Sequence, residues 1–569
     1  MSWQPRWWLE PVSTPDPIRL PALVAIEGLA VHQGLLLGLD RGRGYLFQVV
    51  DGSSYRLLNP SLTPFLKETY ALASNGTHLW FALGSQVVAV PWHQLPYVRQ
   101  LGDHLRWKSP YPLESLAIAG NRLYASCYQR EKILVFDAAS GSLEAEWPAP
   151  GIGREQLCLQ GDYLWVSDRV EETIFVLHRH TGEVLAALLS PLPGPTGLAF
   201  YRQQLWVGIA TEEPFIRESP NDTNPFSVDF QDKTLIAPIR LHPPHPPCGD
   251  PDLVPRAISV ACAVPYQPQT CGERAFYTLT QGYRVEMIYL EEMAPHEEVV
   301  LPNLIWQIAL PCTSVRQRVV QVEPFGIPYK LVEVEGQQVA EFHLGTWQPG
   351  DGVVFGWRAI LDLYSIKYHL TPADVEDVVI PKDLQRYLVD DDDLAMDHPL
   401  VKQAARLAVG TETNLLRKAL NIRNYVYDQL RYRVTSRIQT PDIVLHNKEG
   451  SCGEYVGVLL ALLRLNGIPC RTVGRYKCPL TPEMINIPAS PQYNHVWIEF
   501  YVPGWGWLPM ESNPDDLGDR PYPRRYFMGL PWTHAEIAKG IPFETCNHPD
   551  FSIGELAINH VQFRILHSL

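Results

Sequence analysis

The sequence predicts a multidomain chain: an all-β propeller-like repeat first, a small antiparallel β domain next, and an α+β domain last. Three observations carry this. An apolar or aromatic marker recurs five times in the first two hundred residues. Apolar and polar residues then alternate from about Leu301 to Leu370. Beyond that, helical and strand periodicities are interleaved. At 569 residues the chain exceeds what one hydrophobic core supports, and two to four domains are expected.

The repeat reads "GLAVHQGLLLG" from Gly28, "ALASNGTHLWFA" from Ala71, "LAIAGNRLYAS" from Leu116, "LCLQGDYLWVS" from Leu157 and "LAFYRQQLWVG" from Leu198. Leu36, Trp80, Tyr124, Trp165 and Trp206 mark the copies at intervals of 44, 44, 41 and 41 residues. Each copy is an apolar strand, a turn rich in Gly, Asn or Asp, and a second strand, with further alternating strands between copies. Four strands per ~40 residues is the period of a propeller blade. The expectation is five to seven blades over residues 1–300, with the aromatic rows packed between them. Residues 213–256 break the period and read as a Pro-rich insertion, and the run from Ala275 is a candidate for one more, degenerate blade. Within that insertion His242, His245 and Cys248 are of metal-ligand type, but a Pro-rich loop converges ligands poorly, and no metal is expected. The pattern resembles the divergent NHL and YVTN-type propellers.

Residues 301–375 alternate apolar and polar side chains with turn signals at Gly336 and at Pro349–Gly352, which predicts a small antiparallel β domain. The acidic run Asp390–Asp393 lacks the Gly and distal Glu of a calcium loop and reads as solvated. In the domain expected over 380–569, Leu415, Ala419, Ile422, Val426 and Leu430 form one helical stripe, with Asn414 as its cap.

The chemistry is concentrated between residues 430 and 520. Cys452 opens a run in which Val456, Leu459, Leu460 and Leu463 recur at helical spacing. Gly467 and Pro469 end that run. A thiol at a helix N-terminus faces unpaired amides and the positive end of the macrodipole, both of which favour thiolate. The Cys452 amide is placed to donate to an oxyanion. Downstream, His495, Trp497, Glu499 and Tyr501 alternate with Val496, Ile498, Phe500 and Val502 in a half-buried strand, followed by a Pro-Gly-Trp-Gly turn and a second strand. A turn centred on Pro503 would set His495 directly opposite Glu511, close enough for a carboxylate to hold the imidazole. Cys470 and Cys478 lack metal-ligand spacing and read as buried thiols.

Taken in order, "G-x-C", "GIP-x-R", "H-x-W-x-E" and "GW-x-P" resemble the transglutaminase-like superfamily over about residues 380–520. The resemblance implies a papain-like α+β core, Cys452 as nucleophile, His495 as base and Glu511 where the family usually has Asp. Asn513 and Asp515 are the less well placed substitutes. By the same resemblance Tyr432 matches an aromatic that assists the oxyanion, and Trp497 and Trp507 are expected to line the cleft. The preceding β domain is similar to the arrangement in bacterial members, and those are more often suspected hydrolases.

The function implied is cysteine-dependent acyl transfer on an amide or peptide through a thioester, resolved by water, with no cofactor. The alternatives are an amine acceptor, as in a protein-glutamine transglutaminase, and a non-catalytic peptide- or protein-binding scaffold. The propeller is expected to recruit a protein partner or substrate. A net charge of −15 argues against nucleic-acid binding and against an anionic membrane surface. There is no apolar run long enough to span a bilayer and no signal-like start. With ten scattered cysteines in a chain of this size, a cytoplasmic location is expected.

Overall fold

The computed structural model describes all residues except 1–16, 21–22, 24, 52–53, 217–227, 243–275, 294–299, 349–350, 376–379, 392, 435–437, 480–484 and 492–493. The chain divides into two compact units, one built chiefly from residues up to Leu241 and the other from Gln281 onward. Among the described residues no helix is long and apolar enough to cross a membrane.

In the first unit the described residues form five four-stranded antiparallel sheets. The repeat markers all fall on the second strand of a sheet: Leu36 in Leu35–Asp40, Trp80 in His78–Leu83, Tyr124 in Arg122–Cys127, Trp165 in Tyr163–Asp168 and Trp206 in Gln204–Ile216. All five are buried. The first strands of successive sheets pack side by side in cyclic order, and the fifth packs back on the first. Leu29, Leu36 and Phe47 of the first sheet therefore share one core with Ala199, Trp206 and Ile236 of the last. The last sheet takes its fourth strand from Ile18–Arg19, with Ile18 opposite Ile236. This ring is the propeller-like architecture the repeat predicts.

Aromatic packing between sheets uses glycine where a ring needs backbone beneath it. Gly141 and Gly182, both at φ near +73°, lie under the Trp107 and Trp147 rings, where an added Cβ would come within 2.5 and 2.3 Å of ring carbon. The expected insertion at 213–256 begins as a hairpin, Gln204–Ile216 against Val228–Pro238. Residues 243–275, His245 and Cys248 included, lie outside the described residues. The nearby His242 accepts from the Gly282 amide at 3.3 Å.

Among the described residues the run from Ala275, a candidate for one more blade, does not form a sheet of its own. Tyr277–Met293 is instead a long strand of a six-stranded sheet, in the second unit from Gln281 onward, paired with Ile558–Ser568 from Tyr283↔Ser568 to Glu292↔Ile558. Alternation alone cannot say which sheet a strand joins. That sheet and a second, four-stranded one bury Tyr289, Trp306, Phe342, Phe355 and Trp357 in one core. The strands of 301–375 thus share sheets with Gly529–Leu530, Glu544–Cys546 and Ile558–Ser568. The C-terminal segment, which carries no motif, is structural in this way: the Ala309 amide donates to the Phe543 carbonyl at 2.8 Å.

The helices of the second unit include Pro399–Val409, Leu415–Gln429, Pro441–Asn447 and Cys452–Leu465. Asn414 caps the second of these, accepting from the Leu416 and Arg417 amides. Cys452–Leu465 packs against the other three helices and against the strand His495–Val502, which explains burial on nearly every face. That strand is central in a three-stranded antiparallel sheet with Cys470–Arg475 and Gly506–Met510.

Arg316 ties this region together. Its guanidinium, 3 % exposed, donates to the carbonyls of Tyr364 (2.9 Å), Pro531 (2.8 Å) and His534 (2.8 Å) and pairs with buried Glu536 at 3.1 Å. Arg316→Leu would leave the Glu536 charge and three carbonyls short of a partner. A loss of about 3–5 kcal/mol in the denaturant-unfolding free energy of the second unit is expected. A loss below about 1 kcal/mol would show that these donors are dispensable.

Candidate active site

The nucleophile position is built by a helix start. Ser451 is the cap of Cys452–Leu465, and its hydroxyl and amide both meet the Glu454 carboxylate, the amide at 2.9 Å. This capping box, Ser451-x-x-Glu454, is legible in the sequence as a helix start, and it fixes Cys452 at the first helical position. Just upstream, Arg431–Tyr432 pairs in parallel with Glu449–Gly450, so Tyr432 lies opposite the residue two before Cys452. Tyr432 is 47 % exposed, with its ring 6.4 Å from that of Tyr455.

The base comes from the strand His495–Val502. His495 is buried and its Nε2 lies 2.8 and 2.9 Å from the two Glu511 carboxylate oxygens. Nδ1 is therefore the nitrogen left to face the thiol, and the imidazole acts electrostatically on Cys452. Burial by itself would push the Cys452 thiol up, but the His495 hydrogen bond and charge, with the Val496 amide, outweigh it and bring the thiol below its ordinary value. Burial likewise works against His495 charging, yet the Glu511 carboxylate and both hydrogen bonds hold its pKa above the usual imidazole value. The other buried thiols go the opposite way: burial raises Cys312 to about 11 and Cys470 and Cys478 to about 12.

The register differs from the expectation. Ile498 pairs with Met510 and Val502 with Gly506, so the turn is centred on Gly504, at φ +78°, and not on Pro503. Continuing that register puts Trp497 opposite Glu511 and leaves His495 one diagonal step away. Diagonal neighbours on antiparallel strands are ~7–8 Å apart at Cα, and the extra methylene of Glu helps to span that offset. The departure from Asp thus has a geometric reason. Neither alternative residue contacts His495 among the described hydrogen bonds: Asn513 accepts from the Ser512 hydroxyl, and Asp515 binds Arg423 and Arg525.

The two tryptophans expected to line the cleft do not. Trp497 is fully buried, its ring packed 4.8 Å from that of His534 and its edge over Gly474. Trp507 pairs with Tyr501, six residues along the strand from His495 and so ~20 Å away. It packs on Tyr387, and the Arg471 guanidinium covers its ring. Glu499, the acid of "H-x-W-x-E", is also structural, held by Arg471 (2.7 Å) and Lys539 (2.9 Å).

Two residues absent from the sequence reading complete the site. His534 Nε2 meets Glu511 Oε1 at 2.5 Å, and Lys477 Nζ lies 3.0 Å from the same oxygen. No local signal marks either. His534 sits in a segment without periodicity, and Lys477 is a lone lysine after a strand. Burial opposes the charge on Glu511, but His495, Lys477 and His534 together hold its carboxyl well below the usual range. Ligand atoms of His495, Glu511 and His534 all lie within 4.8 Å of one another, near enough to consider a metal ion. The Lys477 ammonium on the shared oxygen opposes a dication there, and the contacts fit a hydrogen-bonded array centred on Glu511.

Residues 402–512 match the family model described as the transglutaminase-like superfamily. A protein-glutamine gamma-glutamyltransferase of Pseudomonas aeruginosa is 26% identical over 111 residues, 16% of this chain and 17% of that protein's length. Among solved structures, one from Cytophaga hutchinsonii, provisionally described as a cysteine protease, overlays 51% of this chain and 93% of its own, at 14% identity and a TM-score of 0.38. The WD40 domain of Neurospora crassa Pan2 overlays 41% of this chain and 77% of its own, at 13% identity and a TM-score of 0.23. Residues 402–512 therefore form a transglutaminase-like domain, of a superfamily that includes cysteine-dependent acyl-transfer enzymes.

Proposed function

We propose that this protein is a cysteine-dependent acyl-transfer enzyme that cleaves amide or peptide bonds through a thioester. The observation that carries the reading is a cysteine at a capped helix start together with an imidazole whose Nε2 is held by a buried carboxylate. The Cys452 sulfur attacks the amide carbonyl carbon, and the C–N bond breaks as His495 passes its proton to the departing amine. Water, deprotonated by His495, then attacks the thioester, the C–S bond breaks, and an acid and free Cys452 result. The Cys452 amide donates to the oxyanion, with Tyr432 at the rim beside it. The name of the P. aeruginosa relative favours a second acceptor, an amine such as lysine, which the same thioester would acylate. Product mass separates the two.

The propeller-like unit is proposed to recruit a protein substrate or partner. The seven described cysteines are free thiols, which supports a reducing, cytoplasm-like setting.

Cys452 should be alkylated by iodoacetamide at pH 6 faster than Cys312, Cys470 or Cys478, read by peptide mass spectrometry. Its thiolate is present above a depressed thiol pKa, and the His495 charge persists above the ordinary imidazole value. In His495→Ala the largest influence that lowers the thiol is lost, so the thiol pKa rises and alkylation at pH 7 falls at least about tenfold. A Cys452 no faster than the other thiols removes the enzymatic reading.

Glu511→Asp withdraws the carboxylate from a diagonal position by one methylene. A loss of roughly tenfold to a hundredfold in kcat/KM on a small chromogenic amide is expected. Equal or better turnover by the Asp variant would show that reach does not matter here.

Recruitment is tested on a chain starting just before Tyr277, so that the strand paired with Ile558–Ser568 is kept. It should retain turnover of small amides and lose it on unfolded protein substrates. Unchanged turnover of protein substrates would sink the recruiting role.

A further inference from the structure

His534 lies outside the matched residues 402–512, yet it is the best-anchored contact of the Glu511 carboxylate. Its backbone is fixed from several sides. The Arg316 guanidinium donates to the His534 carbonyl at 2.8 Å, and the Cys478 amide donates to the Thr533 carbonyl at 2.7 Å. Two residues earlier, the Trp532 amide donates to the Ser365 hydroxyl at 3.0 Å. Its ring is buried edge-on against Trp497 at 4.8 Å, so the side chain has one place to be.

The protonation of that ring follows from its neighbours. Burial and the Lys477 charge hold its pKa at about 3, so the ring is neutral at working pH. A neutral imidazole has one donor and one acceptor. Nε2 faces a carboxylate and must carry the proton, which leaves Nδ1 to accept from the Thr533 hydroxyl at 3.1 Å. His534 is therefore a fixed N–H donor that does not titrate in the working range. Lys477, 31 % exposed at its side chain, supplies a second donor and a positive charge to the same oxygen.

We propose that His534 is a positioning residue for acyl transfer, clamping the Glu511 carboxylate so that it orients His495, while Lys477 sets how strongly that carboxylate supports the imidazolium. The clamp explains how a long, diagonal Glu serves where a shorter acid would stand. With one oxygen fixed by His534 and Lys477 and the other taking the Ser512 amide at 2.9 Å, the carboxylate has little freedom left. The titratable groups that act on Glu511 are His495, Lys477 and His534. Cys452 lies beyond His495, and Tyr427 is a buried phenol whose charge Glu511 disfavours. This role rests on the acyl-transfer reading of Cys452 and His495.

The test is the pH profile of Cys452 alkylation by iodoacetamide in the full chain. His534→Ala should slow alkylation at pH 6 about tenfold, because an unclamped carboxylate supports the imidazolium less well. His534→Gln, whose amide N–H can reach the same oxygen but cannot titrate, should return the rate to within about threefold of wild type. Lys477→Met removes a charge that lowers the His495 pKa, so the alkaline step of the profile should move to higher pH. A folded His534→Ala protein with the wild-type profile overturns the positioning role, as does a folded His534→Gln no faster than the Ala variant. If His534→Ala does not fold, the Gln and Met variants decide, and an unmoved alkaline step in Lys477→Met overturns the second half. A wild-type Cys452 that reacts as an ordinary thiol would instead sink the acyl-transfer reading itself.

Discussion

The buried carboxylate of Glu511 is the constraint around which the candidate active site of this protein is arranged. A carboxylate with no exposed side-chain surface is costly unless charge and hydrogen bonds offset the loss of water. Four groups meet it, from four places in the chain: Lys477, His495, Ser512 and His534. Ser512 is the next residue in the chain, while Lys477, His495 and His534 are brought in by tertiary structure. Electrostatics then runs outward from that charge: Glu511 raises His495, and His495 lowers Cys452. The imidazole that lowers the thiol at the helix start is thus itself supported by an anion on its far side.

Supporting that charge draws in the β sheets of the second unit. Arg316, at the start of a strand, holds the carbonyl of His534, and Ser365 on another strand holds the amide of Trp532. Beside them runs a second buried ionic set, in which Lys539 joins Glu499 and Glu536 and Arg471 joins Glu499. Such sets contribute little net stability, and removing one member leaves a charge stranded. Their consequence here is fixed geometry: the strand bearing His495 cannot slide without breaking the Arg471–Glu499 pair.

The propeller-like unit follows different physics. Its regularity is a repeat of sheet-on-sheet apolar contacts, and its ring closes because a strand from the amino end completes the last sheet. Closure leaves no open first or last sheet face, which is how repeated β sheets avoid exposed edges.

Much of this was legible because it is local. A 41–44-residue period marks every sheet of the ring, and capping residues, helical spacing and Gly467 delimit the helix that carries Cys452. Strand alternation put His495 and Glu511 on neighbouring strands. The one-residue error in turn centre came from Pro503, since Gly504 and Gly506, both at positive φ, decide where the chain reverses. The sequence by itself determined the candidate nucleophile and base, because a thiol at a helix start and a histidine on a half-buried strand are properties of short segments. Only the tertiary structure decided that Glu511 is reached diagonally, that Trp497 is buried while Trp507 lies far along the strand, and that Tyr277–Met293 joins the six-stranded sheet. It alone brought in His534 and Lys477. Those outcomes depend on pairings between distant segments, for which neither periodicity nor spacing carries a signal.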